Sequence, residues 1–121
     1  MLTRVKAALA AVLGLASCHH GEDGPEPGAQ PLACALAGAQ AFKNDCAVRS
    51  VDEDGRRLLV VRHPDGGFRR FIVTPDGHGL RAADGAEVAK VQAAGNELEV
   101  TIGGDRYRFG DLAKIGHAPA A

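Results

Sequence analysis

The chain has no tryptophan, a single tyrosine and four phenylalanines in 121 residues. So few large rings offer few hot-spot residues for a partner, and the 45 % apolar content is ordinary but rich in alanine. A charge excess in either direction is missing as well. Fourteen Lys and Arg stand against fifteen Asp and Glu, a net of -1. That balance provides no long-range field for nucleic acid and no acidic tail. An apolar run long enough to span a bilayer, about 20 residues, is also lacking. One domain fits, and a domain this small buries only about 60 to 65 % of its unfolded surface, so a covalent staple matters.

What is present begins at the N-terminus, MLTRVKAALAAVLGLASC. Arg4 and Lys6 give a short positive region, and Ala7 to Leu15 is an uncharged run. A buried helix is disfavoured, because the run has no polar face and GEDGPEPGAQP follows. A secretion signal fits. Leu15-Ala16-Ser17-Cys18 resembles the lipobox of bacterial lipoprotein precursors: an aliphatic residue, two small ones, then cysteine. The resemblance implies a diacylglycerol thioether on Cys18, cleavage just before it, and acylation of the new amino group. Several acyl chains on one residue exceed the two-signal threshold for stable anchoring. Ordinary signal-peptidase cleavage, leaving Cys18 free, is the competing reading. His19 is not the Asp that holds many such lipoproteins at the inner membrane, so the family rule directs this one to the outer membrane, facing the periplasm. Cys18-His19-His20 is not expected to hold a metal, since a thioether cannot supply the thiolate zinc needs.

With Cys18 lipidated, Cys34 and Cys46 remain. An even remainder in an oxidising compartment reads as one structural disulfide, while a redox-active pair wants closer spacing such as C-x-x-C. The expected organisation is a signal peptide over 1–17, a lipidated tether over 18–31, a β domain over 32–113 and a disordered tail over 114–121.

Ala-rich ALAGAQAFKND between the cysteines reads as a turn or two of helix over 36–42, weakened by Gly38. Beyond it, turn dipeptides recur: Asp54-Gly55, Asp65-Gly66, Asp76-Gly77, Asp84-Gly85, Gly95-Asn96 and Gly103-Gly104, spaced by 11, 11, 8, 11 and 8 residues. That spacing predicts a mainly β domain, a small antiparallel meander of about six or seven strands forming a compact sandwich or partly open barrel. The two Pro-Asp-Gly turns predict three-residue hairpins with a bulge. A two-residue loop at Gly103-Gly104 sets Ile102 against Asp105, Val100 against Tyr107 and Leu98 against Phe109. The apolar face is then Leu98, Val100, Tyr107 and Phe109, and Glu99 lies across from Arg108 on the other. Leu58-Leu59-Val60-Val61 does not alternate and predicts a strand covered on both faces.

RHPDGGFRRF carries the densest chemistry. Arg62, Arg69 and Arg70 make a candidate clamp for a carboxylate, a phosphate or a partner. The competing reading is a hairpin with solvated arginines and Phe68 or Phe71 in the core. Asp52-Glu53-Asp54-Gly55 fails as an EF-hand loop, because Val61 stands where the bidentate Glu must be. His63, His78 and His117 lack ligand spacing, and Ser50 sits in no nucleophile elbow. No enzyme, cofactor or metal is expected.

CAL…DCAVRS, LVVRHPDGGFRRF and GDRYRF over 34–109 resemble small α-proteobacterial lipoproteins. That resemblance implies an envelope address and carries no activity. The expected function is a non-catalytic binding or structural module, tied to the membrane by its lipid and facing an envelope protein or cell-wall partner. The alternative is a small periplasmic inhibitor or regulator of an envelope enzyme such as a lysozyme-type hydrolase.

Overall fold

A computed structural model describes residues 27–85 and 87–116. Cys18, the leader, most of the tether and His117 lie outside them. Eight strands form one antiparallel sheet: β1 (Gln30–Ala35), β2 (Lys43–Glu53), β3 (Arg56–Arg62), β4 (Phe68–Val73), β5 (Leu80–Ala82), β6 (Lys90–Ala94), β7 (Glu97–Ile102) and β8 (Asp105–Phe109). The spatial order is β5-β4-β3-β2-β1-β8-β7-β6. The sheet curls into a nearly closed barrel whose open seam lies between β5 and β6. The strand count exceeds the sequence expectation slightly, because β1 begins at Gln30, inside the stretch read as tether.

Alternation fills the interior. Leu32, Val48, Leu59, Val61, Phe71, Val73, Val100, Tyr107 and Phe109 form one buried cluster. Phe71 meets Tyr107 and Phe109 edge-on, with centroids 5.7 and 5.8 Å apart. The β7–β8 register is the one the sequence predicts, from Ile102 against Asp105 to Leu98 against Phe109. Leu58, Leu59, Val60 and Val61 are all buried, as their lack of alternation required. On the outer face Val60 sits between Arg49 and Arg70 in register.

Turn chemistry explains most connections. Asp54 and Gly55 both take positive φ, 52° and 75°, which is the primed turn that matches strand twist. Around Pro64-Asp65-Gly66, the His63 N–H donates to Gly67 O at 2.8 Å, closing the expected three-residue loop. The second Pro-Asp-Gly turn is one residue longer. Thr74 N–H bonds Gly79 O at 2.9 Å, and the Asp76 carboxylate accepts from the Thr74 hydroxyl and the His78 N–H. Those hydrogen bonds, the Thr74 one foremost, hold Asp76 below the usual carboxylate range.

Two expectations need correcting. Residues 36–42 form no helix. Ala37 and Gly38 have φ of 53° and 77°, and the Gly38 N–H bonds Gly104 O at 2.8 Å, so the segment is a turn folded over the β7–β8 loop. The second concerns Asp84-Gly85, which joins no hairpin: β5 and β6 lie at opposite edges of the sheet. A simple meander is therefore interrupted there, and β1 fills the centre between β2 and β8.

Cys34 and Cys46 form the expected disulfide, with Cα atoms 6.0 Å apart. Both are buried at 3 % exposure, beside an irregularity in the β1–β2 pairing between Leu32 and Cys34. At the barrel end reached by β1's start, a short 3-10 helix, η1 (Leu112–Lys114), packs Leu112 and Ile115 into the core. Arg57 fastens it. Its Nε donates to Ser50 Oγ at 2.8 Å, and its Nη2 donates to the carbonyls of Leu112 and Ile115 at 2.6 and 3.3 Å. Ser50 is fully buried and its N–H bonds Gly116 O at 2.8 Å. Arg57→Leu removes the donor to these acceptors, so the expected loss is about 2 kcal/mol, read by urea unfolding. An unchanged midpoint would show that water replaces the guanidinium at no net loss.

Candidate functional site

At the other end of the barrel, polar side chains collect on the inner face. Alternation along β4 turns Arg69, Phe71 and Val73 inward and Phe68, Arg70 and Ile72 outward. Asp105, the first residue after the Gly103-Gly104 turn, points inward with Tyr107 and Phe109. Arg69 therefore meets Asp105 across the mouth: Nε and Nη2 both donate to Oδ2, at 3.1 and 2.9 Å. The other oxygen, Oδ1, accepts the Ala37 N–H at 2.9 Å. Glu87 adds a carboxylate oxygen 3.8 Å from Arg69 Nη1. Gly103 takes a φ of 57°, which favours glycine in this turn, and the Glu87 carboxylate lies over it.

Behind the ion pair, His63 Nε2 lies 2.6 Å from the Tyr107 hydroxyl, with the two rings stacked. Burial, followed by the negative charge of Asp105, pushes the Tyr107 phenol far above its usual range. Tyr107 is thus a neutral, fully buried hydrogen-bonding group. Burial works against the Asp105 carboxylate, yet the Ala37 N–H and the Arg69 guanidinium outweigh it and hold it below the usual carboxylate range. A carboxyl depressed in the folded state stabilises fully above its unfolded value, and that contribution is lost as pH falls through the folded value. Stability of the wild type should therefore fall more steeply below about pH 4 than that of Asp105→Asn, measured by urea unfolding along a pH series. Parallel profiles would contradict the role given to Asp105.

The arginines read as one clamp are not brought together. Arg69 faces inward to Asp105. Arg70 faces outward, with Nε 2.7 Å from Asp84 Oδ2 and Nη1 3.4 Å from Glu53. Arg62, also on the outer face, stacks its guanidinium 5.7 Å over the Phe68 ring. Successive strand residues point to opposite faces, so neighbouring Arg69 and Arg70 cannot close on one ligand. Both already meet carboxylates, which leaves no preformed anion site at either.

Clefts open at both ends of the barrel. A cleft of about 510 Å³ opens at the mouth, bounded by Phe68, Arg69, Arg70, Ala82, Asp84 and Ile102. A second, of about 700 Å³, opens at the opposite end, between Gly77 and His78 on one side and Ala93, Asn96 and Leu98 on the other. Phe68, which lines the first cleft, is 57 % exposed, so apolar surface stands beside it. Phe71, by contrast, is wholly buried. Among the described residues no cluster of three or more His, Cys, Asp or Glu could hold a metal, and no helix is long and apolar enough to cross a membrane.

Sequence reasoning missed Asp105, Glu87 and Tyr107 as partners of Arg69 and His63. The interior position of Asp105 followed from the β7–β8 register. Its link to Arg69 needed the curl of the sheet, because β4 and β8 are not neighbours. Comparison with protein-family models, curated proteins and solved structures finds no match to this chain.

Proposed function

We propose that the protein is a lipid-anchored envelope lipoprotein whose small barrel is a non-catalytic partner-binding module facing the periplasm. The carrying observation is the buried Cys34–Cys46 disulfide, which fits an oxidising compartment and leaves Cys18 as the unpaired cysteine of the lipobox-like leader. Binding rather than chemistry is favoured by the site. Its one phenol is buried and held neutral, its inner cation is neutralised by Asp105 and Glu87, and apolar surface borders an open cleft. The expected partner is an envelope protein or cell-wall component, and the near-zero net charge argues against nucleic acid.

Mass spectrometry of the mature N-terminus tests the anchor. The expected wild-type product starts at an acylated Cys18 and fractionates with membranes, whereas Cys18→Ser keeps its leader or is released lipid-free. A wild-type protein that is water-soluble, carries no acyl chain and retains a free Cys18 thiol would overturn the reading.

A further inference from the structure

The barrel fails to close at one place only among the described residues, and the two clefts lie at opposite ends of the barrel, the first touching β5 at Ala82 and the second touching β6 at Ala93. The register fixes which main-chain groups face it. On β5, the Ala83 N–H donates to Arg70 O and the Thr74 N–H to Gly79 O. Hydrogen-bonded and non-bonded pairs alternate along an antiparallel ladder. Arg81, paired with Ile72, therefore turns its N–H and C=O to β4, while Leu80 and Ala82 turn theirs to the seam. On β6, the two-residue turn closes on the bonded pair Ala94–Glu97. Gln92 and Lys90 then bond β7, while Val91 and Ala93 present their N–H and C=O to the seam.

Two edges with apolar inward residues thus face one groove. Leu80, Ala82 and Val91 pack on the core from its two sides. On the outer face the groove is flanked by exposed Arg81 and Lys90, neither of which has an ion-pair partner among the described residues. The nearby acids Asp84 and Glu87 are occupied by Arg70 and Arg69.

Resting on the partner-binding reading above, we propose that the seam takes up one extended strand of a partner polypeptide, antiparallel to β6. Its apolar side chains turn inward into the clefts, and its acidic ones turn outward to Lys90 and Arg81. Main-chain hydrogen bonds supply affinity, and the alternating side chains supply specificity. The exposed edges are thereby covered, as sheet edges in soluble proteins generally are.

The probe is a synthetic peptide that alternates glutamate with valine over the length of β6, titrated into the full chain and followed by amide NMR. We expect the Val91 and Ala93 amides to shift and to become protected from exchange. A lysine–valine peptide should bind at least tenfold more weakly. Ala93→Pro removes one seam-facing donor without touching the β6–β7 ladder and should weaken the acidic peptide by about tenfold. Arg81→Glu/Lys90→Glu, which leaves the backbone alone, should reverse the charge preference.

Val91 and Ala93 amides already protected in the free protein would overturn the proposal, because the barrel would then close on itself. Equal binding of both peptides would also overturn it, as would a self-association abolished by Ala93→Pro, which makes the occupant a second copy. An envelope component that binds wild type and Ala93→Pro equally well would sink strand addition and leave the partner-binding module standing. A full chain that binds the acidic peptide yet carries no lipid would do the reverse to the anchor.

Discussion

Removing the Cys34–Cys46 bond, by reduction or by Cys34→Ala/Cys46→Ala, is expected to lower the thermal midpoint by roughly 12 to 24 °C. The bond closes a loop of sequence separation 12. In the chain-entropy account, such a closure stabilises by about 3 kcal/mol, mainly by restricting the unfolded chain. For a domain of this size each kcal/mol moves the midpoint by about 4 to 8 °C. Alanine is the better replacement, because both sulfurs are buried and a serine hydroxyl would face an apolar core. The bond also sits where β1 is least regular: pairing slips between Leu32 and Cys34, so the strand's ladder alone anchors it poorly there. Melting with and without reductant reads the effect directly. A shift under about 3 °C would mean that the β1–β8 pairing already holds the segment, and the covalent closure adds nothing.

Phe71→Ala is expected to cost about 4 kcal/mol, a large share of a small domain's total stability. Phe71 is fully buried and is the hub of the aromatic cluster, edge-on to both Tyr107 and Phe109. The cavity would open between strands from opposite sides of the barrel, β4 and β8, which share no ladder hydrogen bonds through which to collapse. Phe71→Leu keeps most of the volume and should cost about half as much. Urea unfolding followed by circular dichroism separates the two. Equal midpoints for Ala and Leu would show that the cluster is not where the core derives its stability. The neighbouring Phe68 supplies the contrast: with more than half its surface exposed, Phe68→Ala should leave the midpoint nearly unchanged.

Where local chemistry decided the conformation, the sequence was readable. Primed turns at Asp54-Gly55 and the register across Gly103-Gly104 depend on residues within a few positions of one another, and both stand as their residues demanded. The same holds for the unalternating β3, buried on both faces. Alanine propensity misled at 36–42, because a hydrogen bond from Gly38 to Gly104, far along the chain, overrides a weak local preference. Asp84-Gly85 misled for a related reason: a turn dipeptide shows that the chain reverses, and only the closure of the sheet decides which strand it meets next. The seam, and with it the meeting of Arg69, Asp105 and Glu87, depends on curvature that no short stretch encodes. Of the three arginines, Arg62 and Arg70 share the outer face and Arg69 turns inward, since adjacent residues on a strand cannot share a face.

The central place of β1 has a consequence for how the molecule is made. The strand that leaves the ribosome early has one flank matched promptly by β2, but the other must wait for β8, synthesised some seventy residues later. Until then a nascent hairpin carries an unsatisfied edge through synthesis and any passage between compartments. Cleaving the chain after β7 should therefore cost more than one strand's worth of order: it would strand the first-made segment with no final mate, and the remnant should aggregate rather than persist as a smaller barrel.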